Sequence, residues 1–242
     1  MNALRVVRIA HAYGNRRDTL RRALQAPVDM IEADIWRRAD DLHVRHELRL
    51  GPFPLLADRR PDGPSKIGPY AVPLPRRHYL RLDLNPLTVR ELLRTVAGAK
   101  RLLLDVKSLD RSEAQQFATI LARQIQEHEA AGWVAVCGQY WPVLDRLRKI
   151  APQVEVRYSM QSQDQWDAYQ YRLTRGRATT RVCIHHRVID RMKAEFLEAH
   201  AIDTYCWTVD NPEEADVLVQ RRVDGIISNN LALLAALPSP TT

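Results

Sequence analysis

The chain has 242 residues, 45% hydrophobic and 27% charged, with a mean hydropathy of −0.36, which is enough apolar side chain for one large core. No run approaches the roughly 18–20 apolar residues that span a bilayer, and the opening MNALRVVRIAHAYG turns polar too early for a secretory signal, so a cytoplasmic protein without a transmembrane segment is expected. The net charge of +7 favours anionic partners, yet the arginines are scattered rather than gathered in a basic stripe, which argues against a nucleic-acid binder.

In chain order, short β-rich runs predict strands over 5–11, 30–35, 102–107, 133–138, 154–160, 181–185, 203–209 and 225–228. Amphipathic stretches between them predict helices over 18–24, 87–97, 112–131, 141–150, 187–199 and 212–221. This alternation means a parallel sheet, and eight such strands close into a (β/α)8 TIM barrel, one α/β domain over 1–242. The competing open, doubly wound sheet would carry a Gly-rich phosphate turn after its first strand. Here that turn reads His11-Ala12-Tyr13-Gly14-Asn15.

One stretch breaks the alternation. Residues 48–85 hold seven of the 14 prolines and read as a long irregular Pro/Arg-rich insertion after the second strand, expected to overhang the site as a lid. The three cysteines, Cys137, Cys183 and Cys206, sit far apart in apolar runs, so core packing is expected rather than disulfides or a CxxC metal site.

The polar residues concentrate at predicted strand ends, where barrel enzymes keep their chemistry. Glu32 and Asp34 lie two apart on the second strand and therefore face the same side, the barrel interior. Two inward carboxylates repel unless a cation or protons neutralise them, and a hard divalent metal with oxygen ligands suits them. Asp105 and Lys107 end the next strand at the same spacing, offering a third carboxylate and a fixed positive charge to one interior point. His11 ends the first strand and His46 follows the second, and a pair of imidazoles can move protons on opposite sides of a scissile bond near neutral pH.

In order along the chain stand Ile9-Ala10-His11, Asp18-Thr19-Leu20, Ile31-Glu32-Ala33-Asp34, His46-Glu47, Asp105-Val106-Lys107, Trp207-Thr208-Val209 and Val223-Asp224-Gly225-Ile226-Ile227-Ser228. Together they resemble the ordered motifs of the glycerophosphodiester phosphodiesterase family, from near residue 5 to about residue 234. The resemblance implies Mg²⁺ or Ca²⁺ held by Glu32, Asp34 and Asp105. It also implies acid–base work by His11 and His46, with Lys107 sharing the negative charge that develops on a small anionic phosphodiester. Trp207 would form an apolar wall against a glycerol or lipid headgroup portion.

The pattern also departs from the family's. Ala12-Tyr13 stands where Arg-Gly is usual, leaving Arg16, Arg17 and Arg45 as nearby candidates for a phosphate-binding guanidinium. Glu47 replaces Asp, Asp105 replaces Glu with a stem one methylene shorter, and Ser228-Asn229-Asn230-Leu231 replaces Thr-Asp-x-Pro. Two alternatives therefore stay open. One is a phospholipase or lyase resembling sphingomyelinase D on the same barrel, and the other is a binding or regulatory homologue without turnover.

Overall fold

The computed structural model describes residues 6–46, 56–59, 71–73, 78–81, 87–107 and 111–238. Its elements run β1 (Val7–Ala10), α1 (Arg17–Gln25), β2 (Met30–Arg38), β3 (Asp41–Val44), β4 (Leu56–Arg59), β5 (Ala71–Pro73), β6 (His78–Arg81), α2 (Val89–Val96), β7 (Arg101–Lys107) and α3 (Ala114–Glu127). They continue β8 (Val134–Gly138), α4 (Trp141–Ile150), β9 (Glu155–Met160), α5 (Gln163–Leu173), β10 (Arg181–His185), α6 (Arg191–Ala199), β11 (Asp203–Trp207), α7 (Pro212–Gln220), β12 (Gly225–Ser228) and α8 (Leu231–Ala236).

Among the described residues, β1, β2, β7, β8, β9, β10, β11 and β12 pair in parallel in that order, and β12 returns to β1. The sheet is closed, and the expected TIM barrel is the observed fold. Local chemistry starts several of its helices. Thr88 and Glu91 form a reciprocal capping box at α2, and the Asn211 side chain accepts from Glu214 N ahead of Pro212 in the first turn of α7. The outer faces of the strands pack against the helices in one large cluster that includes Ala10, Ile31, Leu104 and Ile184.

Alternate residues point inward. Ile9, Met30, Leu103, Ala135, Cys137, Cys183, Tyr205 and Ile227 form a separate cluster filling the barrel, with Val7 and Trp207 at its margins. All three cysteines are buried and unpaired, in agreement with the packing role expected of them. Below this apolar layer lies a charged one. The Arg157 side chain is 1% exposed, donates to both carboxylate oxygens of Asp203 at 2.9 and 2.7 Å and to Glu155 at 2.7 Å, and lies 3.3 Å over the Tyr205 ring. Arg101 closes the chain of charges on the other Glu155 oxygen at 2.8 Å.

Three features depart from expectation. β2 extends to Arg38 and pairs antiparallel with β3, where only a strand over 30–35 was expected. Helices α5 and α8 were not anticipated, because α5 buries only Trp166 and Tyr169 and α8 is six residues long. The third concerns the stretch expected to be irregular, where β4, β6 and β5 form an antiparallel sheet of their own. Pro73 sits on an edge strand of that sheet, the place where a missing N–H is tolerated, so the prolines of the insertion are compatible with these short strands. The expected lid over 48–85 otherwise lies outside the described residues.

The buried charge layer makes a prediction about stability. Asp203→Ala strips a nearly inaccessible guanidinium of its two-pronged partner and is expected to cost roughly 3 kcal/mol. Arg157→Met removes the charge and keeps the bulk, leaving Asp203 to hydrate and Glu155 with Arg101, and is expected to cost less than about 1.5 kcal/mol. Urea denaturation of the two variants gives the order, and a larger loss for Arg157→Met would contradict it.

Candidate active site

The site forms where the inward-facing rows of β1, β2 and β7 reach the C-terminal rim. Because side chains alternate along a strand, the inward Met30 places Glu32 and Asp34 on the same face, and the inward Leu103 does the same for Asp105 and Lys107. Strand register then sets Asp34 directly beside Asp105. Oxygens of Glu32, Asp34 and Asp105 all lie within 4.8 Å of one another, a spacing that can hold a metal ion.

Each member is tied down from behind. After β1 a short 3₁₀ turn, Tyr13–Asn15, folds back over β2. The Ala12 N–H donates to Glu32 Oε2 at 2.5 Å, and Asn15 both accepts from the Asp34 N–H at 2.8 Å and donates to Asp34 Oδ2 at 2.6 Å. Gly14 permits this approach, since a Cβ there would lie 2.5 Å from the Ala33 Cβ. Lys107 Nζ bridges the two neighbouring acids, 3.0 Å from Asp34 Oδ1 and 2.5 Å from Asp105 Oδ2.

The charges in this pocket are unbalanced, and the carboxyl groups respond in opposite directions. Burial, and after it the charges of Asp34 and Asp105, push Glu32 well above the usual carboxylate range. Burial also opposes ionisation of Asp34, but Lys107, His46, His11 and the Asn15 amide outweigh it and hold this carboxyl at about 2. Lys107 is disfavoured as a cation by its own burial, and the surrounding Asp105, Asp34 and Glu32 more than reverse this, raising it well above the ordinary lysine value. Three acids sharing one lysine leave the cluster short of positive charge, with ionisation of Glu32 disfavoured. That is the state a hard cation relieves, so an all-oxygen donor set of this charge fits Mg²⁺ or Ca²⁺.

Both histidines reach the same rim. His11 Nε2 stands 4.0 Å from Glu32 Oε2 and its Nδ1 stands 2.9 Å from Asn229 Oδ1. Burial lowers its pKa despite the opposing charge of Asp34, which favours the neutral ring. His46 arrives by the route that was not expected. The β2–β3 hairpin reverses the chain, Arg45 N–H donates to the Asp34 carbonyl at 2.9 Å, and the His46 charge is felt at both Asp34 and His11. Trp207 lies on the inward row of β11, edge-on to His185, with its Nε1 buried and without a hydrogen-bond partner among the described residues.

No protein-family model and no curated protein matches this sequence. Solved structures do. A Silicibacter pomeroyi DSS-3 protein assigned as a glycerophosphoryl diester phosphodiesterase superposes with a TM-score of 0.76 at 18% identity, over 97% of this chain and 92% of that one. A glycerophosphodiester phosphodiesterase from Parabacteroides distasonis ATCC 8503 gives 0.71 at 18% identity, over 97% and 96%. An Oleispira antarctica phosphodiesterase, solved in complex with the product sn-glycerol-3-phosphate, gives 0.66 at 14% identity, over 94% and 93%. This chain shares their fold. At such identities the likeness establishes the barrel fold alone, and the chemistry rests on the residues above.

All the residues expected at the rim of the barrel gather there: Glu32, Asp34, Asp105, Lys107, His11 and His46, with Trp207 on the same inward face. Two of the three arginines proposed to replace the missing guanidinium are engaged with carboxylates, Arg17 with Glu91 of α2 and Arg16 with Asp18. Sequence reasoning missed Asn15, the Ala12 N–H, Asn229 and Asp210. Asn229 was noted only as a departure, although it and Asp210 each follow a strand end, the signal that identified the histidines.

The electrostatics predict a metal-linked stability. At a Mg²⁺ or Ca²⁺ concentration 100 times its Kd, the folded protein should gain about 2.7 kcal/mol, seen as a raised melting temperature. Glu32→Gln keeps the shape of the side chain and removes a charge that burial disfavours, so it should leave the metal-free melting temperature nearly unchanged and remove most of the metal-induced rise. An equal rise in the variant would remove Glu32 from the ligand set.

Proposed function

We propose that the chain is a metal-dependent phosphodiesterase that hydrolyses a glycerophosphodiester or a related lysophospholipid to an alcohol and a phosphomonoester. The observation that carries this reading is the meeting of two imidazoles with three carboxylates and a lysine on one rim of the barrel. The naming of the structural neighbours as phosphodiesterases, one of them bound to sn-glycerol-3-phosphate, supports the same substrate class.

Glu32, Asp34 and Asp105 would hold Mg²⁺ or Ca²⁺, which when bound supplies positive charge to a non-bridging phosphoryl oxygen. Lys107 pairs with Asp34 and Asp105, holds Asp34 as the carboxylate, and adds its own charge where negative charge grows on the phosphoryl group. Of His11 and His46, one takes the proton from the attacking oxygen and the other gives a proton to the departing alcohol oxygen. Trp207 supplies an apolar wall for the glycerol or headgroup portion, and its unpartnered indole N–H can donate to a ligand oxygen.

His11→Ala and His46→Ala should each lower kcat on a glycerophosphodiester by about 10²–10⁴-fold, with the melting temperature and its metal-induced rise retained. Full activity in both variants would contradict the assignment. The reaction itself is tested with a panel of glycerophosphodiesters and lysophospholipids, with and without EDTA, followed by ³¹P NMR. A linear phosphomonoester formed only with metal is the expected product. A cyclic phosphate would replace the hydrolytic reading with a lyase resembling sphingomyelinase D, and metal-dependent stabilisation without turnover across the panel would replace it with a binding homologue.

A further inference from the structure

Behind His11 stands a second polar chain, on the side away from the acids. His11 Nδ1 lies 2.9 Å from Asn229 Oδ1, and the Asn229 Nδ2 donates to Asp210 Oδ2 at 2.7 Å. Asp210 is itself held: its Oδ1 accepts from the Asn229 backbone N–H at 2.8 Å and from Ser228 Oγ at 3.0 Å. The Asn229 backbone is fixed from the other side by Tyr13, whose hydroxyl donates to the Asn229 carbonyl at 3.2 Å. The His11 backbone is anchored beside them by its main-chain N–H, which donates to the Ser228 carbonyl at 2.9 Å.

The direction of this chain follows from what each group is able to do. A carboxylate only accepts, so Asn229 must turn its NH₂ toward Asp210. Its oxygen is then left for His11, and an amide oxygen also only accepts, so the hydrogen between them belongs to His11 Nδ1. In the neutral ring this leaves the lone pair on Nε2, the nitrogen that faces Glu32 and the acid cluster.

We propose that Asp210, acting through Asn229, is a positioning residue that fixes the tautomer of His11 so that Nε2 meets the substrate as a proton acceptor. The proposal rests on the reading of His11 as a proton-transfer group. It assigns the otherwise unspecified first proton: the attacking oxygen gives its proton to His11 Nε2, and His46 returns one to the leaving oxygen. It also accounts for Asn229 standing where the related motif has an acid. The carboxylate here stands one hydrogen bond farther from the ring, at Asp210, and the amide passes on its orienting effect.

The test is a reversal of hydrogen-bond direction. Asp210→Asn is isosteric and can still accept from Ser228, but it presents an NH₂ to Asn229. The Asn229 amide then rotates, offers its own NH₂ to His11 Nδ1, and forces the hydrogen onto Nε2. With ¹⁵N-histidine-labelled full-length protein, His11 should read as the Nδ1–H tautomer in the native chain and as Nε2–H in Asp210→Asn. That variant should lose about 10²–10⁴-fold in kcat with KM changed less than about threefold. The double variant Asp210→Asn with Asn229→Asp restores an acceptor facing Nδ1 and a donor behind it, and should recover the native tautomer and most of kcat, which a merely structural role would not produce. An Nε2–H signal in the native protein, or undiminished kcat in Asp210→Asn, would overturn the relay. The spectra need no substrate, so a native protein that cleaves no diester would defeat the proposed function while the tautomer assignment is still decided by its own signals.

Discussion

Mutual repulsion among three carboxylates is the constraint around which this barrel mouth is organised. Strand register puts Asp34 beside Asp105, alternation puts Glu32 on the same face, and closure of the sheet leaves them nowhere to separate. Lys107 pairs with two of the three and the Asn15 amide donates to Asp34, which leaves Glu32 as the acid whose ionisation burial and the neighbouring charges oppose. Backbone and asparagine contacts from the Tyr13–Asn15 turn hold the cluster rigidly, so the repulsion is retained rather than relaxed by movement. A pocket of this kind has the charge and the oxygen donors to take a cation.

The opposite end of the barrel solves a similar problem differently. Arg157 is as buried as any core side chain, but its partners are complete: Asp203, Glu155 and the face of Tyr205 surround it, and Arg101 completes the row. Charge at the N-terminal end is thus closed on itself, whereas charge at the C-terminal rim is open to a ligand. The same period-two alternation of inward residues produces both layers. What differs is the balance of sign, one acid pair matched by two arginines below and three acids sharing one lysine above.

Much of this was legible in the sequence because strand alternation converts spacing directly into direction. Glu32 with Asp34, and Asp105 with Lys107, could be assigned to the interior from their spacing alone, and parallel closure brought the two pairs together. His11 was legible as the last residue of a strand. His46 reaches the rim by a route that its place in the sequence did not reveal: it is delivered by an antiparallel hairpin, β2 to β3, whose four-residue second strand is too short to stand out as a pattern. Asn15, Asn229 and Asp210 were not legible as site residues, because their importance lies in which atom each presents to a neighbour 19 or more positions away. The helix α5, polar except for Trp166 and Tyr169, shows the same limit on the side of the fold, since two buried aromatics do not make a periodic stripe.

The shorter stem of Asp105 and the missing guanidinium after His11 do not prevent convergence, because the bridge from Lys107 draws Asp105 to Asp34 directly. The claim on which all of this depends is that Glu32, Asp34 and Asp105 together bind one divalent ion. The most direct measurement is anomalous diffraction from crystals of the native protein grown with Mn²⁺, an oxygen-seeking ion that stands in for Mg²⁺ or Ca²⁺. The account predicts a single dominant peak in contact with all three carboxylates. No peak there, or a dominant site elsewhere on the protein with Lys107 alone neutralising the cluster, would contradict it.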